Sequence, residues 1–230
     1  MKLYYQINPL VNVAIIEKPS TFFKLFIIKF ARNNLRSKMD PINILIALNI
    51  VVTFAANVSG AKKGVKDKVA VFRDKPKTYL QTLPLAISTI NLLILILAVF
   101  QVGTLAYEEK YFSIRVIALV VYLIFSWFQI WSYKTLGDYY SQEIAIRKEH
   151  KIISTGPYKL IRHPQYLSQI FVDLAGAVAT LSFILLPLAL IQIPFLILRA
   201  KEEEKLFAKY LSNDFKAYKE KSGFMLPFIG

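Results

Sequence analysis

The densest group of residues able to do chemistry lies between His150 and Tyr166, where the sequence reads HKIISTGPYKLIRHPQY. This segment holds both histidines of the protein, His150 and His163, among tyrosines and basic residues. Such a mixture can bind a charged ligand or exchange protons near neutral pH. We therefore treat the segment as the first part of a candidate site.

The local sequence predicts how this segment is shaped. Gly156-Pro157 is a turn signal, and Pro164 suits the first position of a helix while directing His163 into an extended conformation. A helix that begins here presents free backbone N–H groups beside Arg162, and such a helix end attracts anions.

A second polar group lies in the sequence ILRAKEEEKL, where Arg199 and Glu203 are spaced i, i+4 and share a helical face. Together they can hold opposite ends of a zwitterionic ligand, or they can hold only each other. Taken alone, this group is also typical of a solvated face next to a membrane. By the same reasoning His163 can be a simple helix cap, and tyrosines such as Tyr166 can be interfacial anchors.

The elements that must position these groups are apolar helices. The chain is 55% hydrophobic, its mean hydropathy is +0.44, and its apolar residues form long runs. The runs Leu83–Val102 and Phe112–Trp131 have roughly 20 residues each, enough to cross a hydrocarbon core of about 30 Å. Ile42–Val58 is a weaker run because three asparagines interrupt it. We predict an all-α, polytopic transmembrane bundle of about five helices with a C-terminal helical hairpin and a cytoplasmic cofactor pocket.

The hairpin prediction comes from the run Leu167–Leu198. It is too long for one membrane helix and short for two, and Pro187 and Pro194 favour a break. A turn near Leu185–Pro187 would place Arg162 and His163 on the same side of the membrane as Arg199.

The charges indicate orientation and exclude other classes. The net charge is +14, but lysines and arginines flank the apolar runs, which is typical of the positive-inside bias and not of a nucleic-acid partner. Seven cations lie between Gly60 and Tyr79, whereas Thr104–Tyr111 holds two glutamates and one lysine. The first loop and, by alternation, Ser132–Tyr166 are predicted to be cytoplasmic. With no cysteine and two histidines, no metal site is predicted.

We divide the chain into one membrane domain, 1–230, with three parts. Residues 1–40 form a basic N-terminal segment, in which 20–38 indicates either an interfacial amphipathic helix or a solvated basic lead-in. Residues 41–111 form the N-terminal membrane helices, and 112–230 form the core. Whether Ile42–Val58 spans the membrane is left open, because a span there would put the basic N-terminus outside.

Read together, the polar groups form an ordered series. It runs LG (Leu136, Gly137), His150, TGPY (155–158), RHPxY (162–166), an apolar hairpin, RxxEEE (199–204), Tyr218 and LPF (226–228). This series resembles the isoprenylcysteine carboxyl methyltransferase family over roughly 112–230, and the RHPxY box preceded by GPY is its most specific part.

The resemblance implies a membrane methyltransferase whose core is 112–230. It implies transfer of a methyl group from S-adenosylmethionine to a lipophilic acceptor in the bilayer, most of all the carboxylate of a prenylcysteine-like substrate. Arg199 matches the arginine of substrate binding and catalysis. A further cofactor-contacting polar residue falls near Gln142 or Glu143. The residues that match the family's cofactor contacts are His150, Lys151, Ile152, Ile153, Tyr158, His163, Pro164, Gln165, Tyr166 and Glu203.

Three alternatives remain beside this interpretation. Related membrane methyltransferases act on phospholipid amines or small thiols, which must lose a proton, whereas a carboxylate is already ionised at neutral pH. A membrane reductase of the sterol type resembles the chain in its apolar helices and C-terminal polar boxes, but it uses NADPH. A non-catalytic membrane scaffold would bind neither cofactor.

Overall fold

Six helices carry the fold in the computed structural model, which describes residues 40–66, 72–147 and 150–230. The interfacial helix predicted over 20–38 lies outside the described residues. Two short strands, β1 (Phe72–Asp74) and β2 (Ile146–Arg147), pair antiparallel. The helices are α1 (Pro41–Lys66), α2 (Leu83–Val99), α3 (Phe112–Leu136), α4 (Pro164–Ala179), α5 (Leu185–Tyr210) and α6 (Ser212–Lys219). The mainly helical class is as predicted.

Among the described residues, two helical stretches are long and apolar enough to cross a membrane, Tyr79–Val99 and Glu109–Leu136. The second contains the predicted run Phe112–Trp131, and the first covers the predicted run Leu83–Val102 up to Val99, where the helix ends. Pro41–Phe54 is a shorter apolar helix. Its asparagines do not interrupt it: Asn43 is buried, and its side-chain amide donates to the backbone carbonyl of Val99 at 3.0 Å. The opposite face of α1 is apolar and exposed, as at Val51, so Asn43 faces the bundle together with the buried Ile46.

The C-terminal hairpin is present, but it turns earlier than predicted. Helix α4 ends at Ala179 and α5 begins at Leu185, so Leu185–Pro187 is the first turn of α5 and not the loop. Pro187 fits there because the first N–H groups of a helix have no partner within it. Pro194 was expected to break the helix, yet α5 continues through it. Packing of α5 against α2 and α4 compensates for the lost hydrogen bond.

A buried arginine joins three helices at the end of the bundle that holds residues 180–184, which we call the turn end. Arg115, near the start of α3, donates from Nε to the carbonyl of Ala179 at 2.7 Å and from Nη2 to Oδ1 of Asn43 at 3.2 Å. Its guanidinium also lies 2.6 Å from a carboxylate oxygen of Asp40, whose other oxygen accepts from the N–H of Ile42 at the start of α1. The ends of α1, α3 and α4 are thereby fixed to one charge.

The middle of the bundle is closely packed around α4. Small residues let the neighbouring helices approach α4, and at Gly176 a methyl group would lie 3.1 Å from Leu95 of α2. Phe125 of α3 stacks on Phe171 of α4 with ring centroids 4.2 Å apart. These contacts set α4 against its neighbours and so direct its N-terminus to the opposite end of the bundle, the site end, where residues 137–163 lie.

We predict that Arg115→Gln lowers the free energy of unfolding by about 3 kcal/mol, because it leaves Asp40 and the carbonyl of Ala179 without their buried partner. The measurement is the thermal unfolding midpoint in detergent. Lys110→Gln is the matched control: the Lys110–Glu108 pair is 61% and 56% exposed, and its loss should change stability by less than about 0.5 kcal/mol. Equal losses for the two variants would contradict a structural role for Arg115.

Candidate active site

A cavity at the site end, which we call the polar cavity, lies between the 137–163 loop, the start of α4, the second half of α5, and α6. The structure brings nine of the predicted site residues to its wall; only Pro164 and Arg199 are elsewhere. The nine are His150, Lys151, Ile152, Ile153, Tyr158, His163, Gln165, Tyr166 and Glu203. Residues more than 50 positions apart in sequence therefore meet, as the hairpin prediction required.

Aromatic side chains that sequence reasoning missed complete the polar cavity. His150 lies between Tyr139 and Phe207, with ring centroids 5.6 Å and 5.3 Å away. Phe215 also contributes to the wall, as does Tyr218, which the motif series already contained. A signal for Phe207 was available: it is four residues after Glu203, and so continues the helical face that Arg199 and Glu203 share.

Pro164, which the resemblance predicts as a cofactor contact, does not line either of the two cavities. It is fully buried as the first residue of α4, and its carbonyl accepts from the hydroxyl of Ser168 at 2.6 Å. His163, just before it, has φ −123° and ψ 57°, which is neither helical nor fully extended. The role of Pro164 is to start the helix in the right direction.

The predicted anion seat at the start of α4 is filled from within the chain. The backbone N–H groups of Arg162 and His163 donate to the carbonyls of Gly223 and Phe224 at 2.8 and 3.1 Å. A carboxylate of the chain itself, that of Glu204, takes the place of an external anion. Its Oε1 lies 2.6 Å from Nε of Arg162 and 3.2 Å from Nε2 of His163. Burial alone would raise the pKa of the Glu204 carboxyl, but its hydrogen bonds to His163 and Arg162 outweigh that effect and hold the pKa below the ordinary value of 4.5.

The C-terminal segment closes this side of the site, which explains why Tyr218 and the residues around LPF belong to the motif series. Arg162 donates to the carbonyl of Ser222 and, at 2.9 Å, to that of Gly230. The hydroxyl of Tyr218 donates to the carbonyl of Tyr158 at 2.7 Å. Burial raises the pKa of the Tyr158 hydroxyl well above its ordinary value, so this side chain remains neutral.

Arg199 is 2% exposed and connects separate parts of the chain. Nη1 donates to the carbonyls of Leu80 and Gln81 at 2.8 and 3.1 Å, and Nη2 donates to the carbonyl of Gln142. Nε donates to the hydroxyl of Tyr166 at 2.9 Å. Four of the five guanidinium N–H groups are thus engaged, so Arg199 cannot make a bidentate contact to a substrate carboxylate in this arrangement.

Tyr166 stands between Arg199 and Glu203. Its hydroxyl accepts from Arg199 and donates to Glu203, whose carboxylate is also 3.8 Å from Nε of Arg199. Glu203 lines the polar cavity, whereas Arg199 lines a second cavity among α2–α5, which we call the bundle cavity. The cation and the carboxylate therefore face different cavities and do not hold two ends of one ligand in a shared cavity.

The two cavities share part of their walls. Ser141, Gln165 and Tyr166 line both of them. Most of the remaining wall of the bundle cavity is made of residues from four helices, among them Leu85, Leu92, Leu95, Tyr122, Gln129, Val172, Asp173 and Leu196. A ligand in the bundle cavity can thus approach one in the polar cavity beside Tyr166.

Residues upstream of the motif series also build the site, which the sequence did not indicate. The side-chain amide of Gln81 donates to the carbonyl of Ile144 at 2.8 Å and accepts from its N–H at 2.9 Å. This double contact fixes the loop that carries Glu143 and Ser141 into the polar cavity. The polar residue expected near Gln142 or Glu143 is thus represented at both cavities, since Gln142 lines the bundle cavity.

Comparison with known proteins shows which protein family the chain resembles. Residues 116–209 match the model of the isoprenylcysteine carboxyl methyltransferase (ICMT) family. A protein-S-isoprenylcysteine O-methyltransferase of Saccharomyces cerevisiae is 32% identical over 102 residues, which cover 41% of each chain. The match thus spans less than half the length of this curated relative. The solved structure of the eukaryotic intramembrane Ras methyltransferase ICMT covers 91% of this chain and 75% of its own, with a TM-score of 0.53 and 17% identity.

The predicted resemblance is confirmed: residues 116–209 match the ICMT family model, and the described fold is similar to that of the solved ICMT structure. The matched range holds the GPY, RHPxY and RxxEEE motifs and all eleven predicted site residues. Tyr218 and LPF follow it, and their place in the site rests on the contacts described above.

We predict that Glu204→Gln lowers the thermal unfolding midpoint at pH 7 and that this difference disappears in acid. The wild-type carboxylate contributes roughly 2 kcal/mol through charged hydrogen bonds at pH values above its unfolded pKa, near 4.5. Because the folded pKa is lower, that contribution is lost as pH falls below 4.5 and through the folded pKa. The measurement is the midpoint from pH 7 to pH 3 for both proteins. A difference that stays constant over this range would contradict the ion-pair explanation.

Proposed function

We propose that this protein is an integral membrane methyltransferase that transfers a methyl group from S-adenosylmethionine to the carboxylate of a lipophilic, isoprenylcysteine-like acceptor. The observation that carries the proposal is the pair of cavities that meet at Tyr166, one lined by the predicted cofactor residues and one lying among the apolar helices. The family and the name of the yeast relative support the reaction type. The predicted five spans and the cytoplasmic position of the site end belong to the same proposal, supported by the cation-rich loops.

The polar cavity fits such a donor by the chemistry of its wall. Tyr139, Tyr158 and Phe207 offer aromatic faces, which attract a sulfonium and stack on an adenine. Glu203 offers a carboxylate for an ammonium group or for ribose hydroxyls. The residues that would hold the donor are the predicted ones at this wall, His150 to Ile153, Tyr158, His163, Gln165, Tyr166 and Glu203. When bound, S-adenosylmethionine supplies an electrophilic methyl group.

The protein's own residues provide positioning and exclusion of water. An acceptor carboxylate is ionised at neutral pH, so the site needs no general base. It needs the nucleophile aligned and stripped of water. Arg199 has one N–H group left for a single hydrogen bond to that carboxylate, and its positive charge lies at the wall of the bundle cavity. Tyr166 fixes the guanidinium and keeps Glu203 turned to the other cavity.

The decisive experiment measures donor binding and methyl transfer on the purified protein. We expect S-adenosylmethionine and its demethylated product to raise the unfolding midpoint, whereas NADPH does not. We expect labelled methyl groups to appear on N-acetyl-S-farnesylcysteine, with kcat/KM independent of pH between about 6 and 8 because the carboxylate stays ionised.

Other outcomes separate the alternatives. Stabilisation by NADPH alone would support a reductase and overturn the proposal. If lipid amines or thiols are methylated but the carboxylate is not, and kcat/KM rises with pH, the proposed acceptor is wrong. The proposed methyl donor would still stand. Binding of neither cofactor would favour a scaffold.

We predict that Tyr166→Phe reduces kcat by about tenfold, because Arg199 loses the acceptor that orients it and Glu203 loses a donor. Donor affinity, measured separately by titration, should change less than kcat. Tyr79→Phe is the matched control, since Tyr79 is 60% exposed and lines neither cavity. A normal kcat for Tyr166→Phe would remove the hydroxyl from the proposed mechanism.

A further inference from the structure

The bundle cavity has a polar band deep among the helices, built around Asp173. Asp173 is 4% exposed and lines the cavity in the middle of α4. It is seven residues after Tyr166, so it lies on the same helical face and roughly 10 Å further along the helix axis. A polar group at this depth faces the apolar part of any acceptor whose reactive end is beside Tyr166.

The hydrogen bonds of Asp173 come from neutral amides. Nε2 of Gln169 lies 3.0 Å from both carboxylate oxygens, and Nδ2 of Asn91 lies 3.2 Å from one of them. No cation lies within ion-pair distance of Asp173 among the residues that the structure describes. A carboxylate has about four acceptor positions. Asp173 therefore retains acceptor capacity toward the cavity.

The hydrogen bonds around Asp173 continue in two directions. One set joins neighbouring helices, and the other lies on the cavity wall. The side-chain amide of Asn91 in α2 also donates to Gln192 of α5. The amide of Gln192 in turn donates to the hydroxyl of Ser88 in α2 at 2.5 Å. Gln192 does not line the cavity, and interhelical contacts of this kind are ordinary packing in membrane bundles. Gln169 and Gln129 do line it, and they are joined at 2.9 Å. The side chains of Gln129, Gln169 and Asp173 thus form a continuous polar strip on the wall.

A purely hydrocarbon chain is a poor match for this strip. Covering a carboxylate and two amides with hydrocarbon removes them from water and gives them no new partner, whereas a donor on the ligand satisfies one of them. Ionisable residues inside a membrane bundle typically mark a ligand or ion path. The chemical complement of Asp173 is a hydrogen-bond donor carried on a lipophilic chain.

We propose that Asp173, with Gln169 and Gln129, is a specificity site for a hydroxyl or amine on the lipophilic chain of the acceptor, roughly 10 Å from the methylated carboxylate. This inference rests on the proposed function and narrows its substrate class. It concerns the chain of the acceptor and not the reacting group, so it can fail while methyl transfer is retained.

The test uses the full-length protein and three acceptors: N-acetyl-S-farnesylcysteine and its analogues with a hydroxyl or an amine on the fifth carbon of the chain. We expect a kcat/KM for at least one polar analogue about tenfold or more above that of the parent, the value of one hydrogen bond to a charged group. Preference for the amine indicates charge pairing, and preference for the hydroxyl indicates a neutral donor; either supports the proposal.

Variants then assign the preference to Asp173. Asp173→Leu should reverse the ratio of polar to parent acceptor. Asp173→Asn, which keeps the shape and is able to keep the fold, should reduce preference for the amine more than for the hydroxyl. Gln192→Met is the control: it disturbs the same buried network outside the cavity wall and should leave the ratio unchanged.

Two results would overturn the inference and leave the enzyme intact. One is equal or better methylation of the parent acceptor by the wild-type protein. The other is an unchanged ratio in both Asp173 variants. If S-adenosylmethionine binds but none of the three carboxylates is methylated, the proposed acceptor class fails first, and the inference fails with it.

Discussion

The site depends on one buried guanidinium. Arg199 is held by carbonyl groups of Leu80, Gln81 and Gln142 and by the hydroxyl of Tyr166, so it joins the approach to α2, the loop after α3 and the start of α4. A buried charge is costly unless its hydrogen bonds are satisfied, and here four N–H groups find acceptors. Loss of the correct position of any one segment leaves the charge undersatisfied. Because Arg199 needs all of these acceptors, the segments around the two cavities are held in fixed positions.

The sequence predicted the architecture where long patterns determined it. The apolar runs gave α2 and α3, and the length of the run after Tyr166 gave the hairpin. Nine site residues reached the polar cavity because the motif series records which segments meet. The predicted position of the turn and the predicted break at Pro194 were wrong. At Pro194 the helix continues because tertiary packing outweighs the loss of one hydrogen bond.

Other features were beyond prediction because they depend on partners distant in sequence. Arg162 and Glu204 each allow several partners when only spacing is known, and the structure pairs them, so the helix end attracts an internal carboxylate. Gln81 carries no local signal of its contact with Ile144, 63 residues away. Asn43 was read as a weakness of α1, although it faces the bundle. In each case the residue type indicated that a hydrogen bond forms, but not which residue is the partner.

The Arg115 cluster has a consequence for motion. It ties α1, α3 and α4 at the turn end, while the cavities reduce packing toward the site end. A bundle that is pinned at one end and hollow at the other separates most easily at the hollow end. We therefore expect any sideways separation of the helices to pivot about Arg115, with the widest gap farthest from that residue.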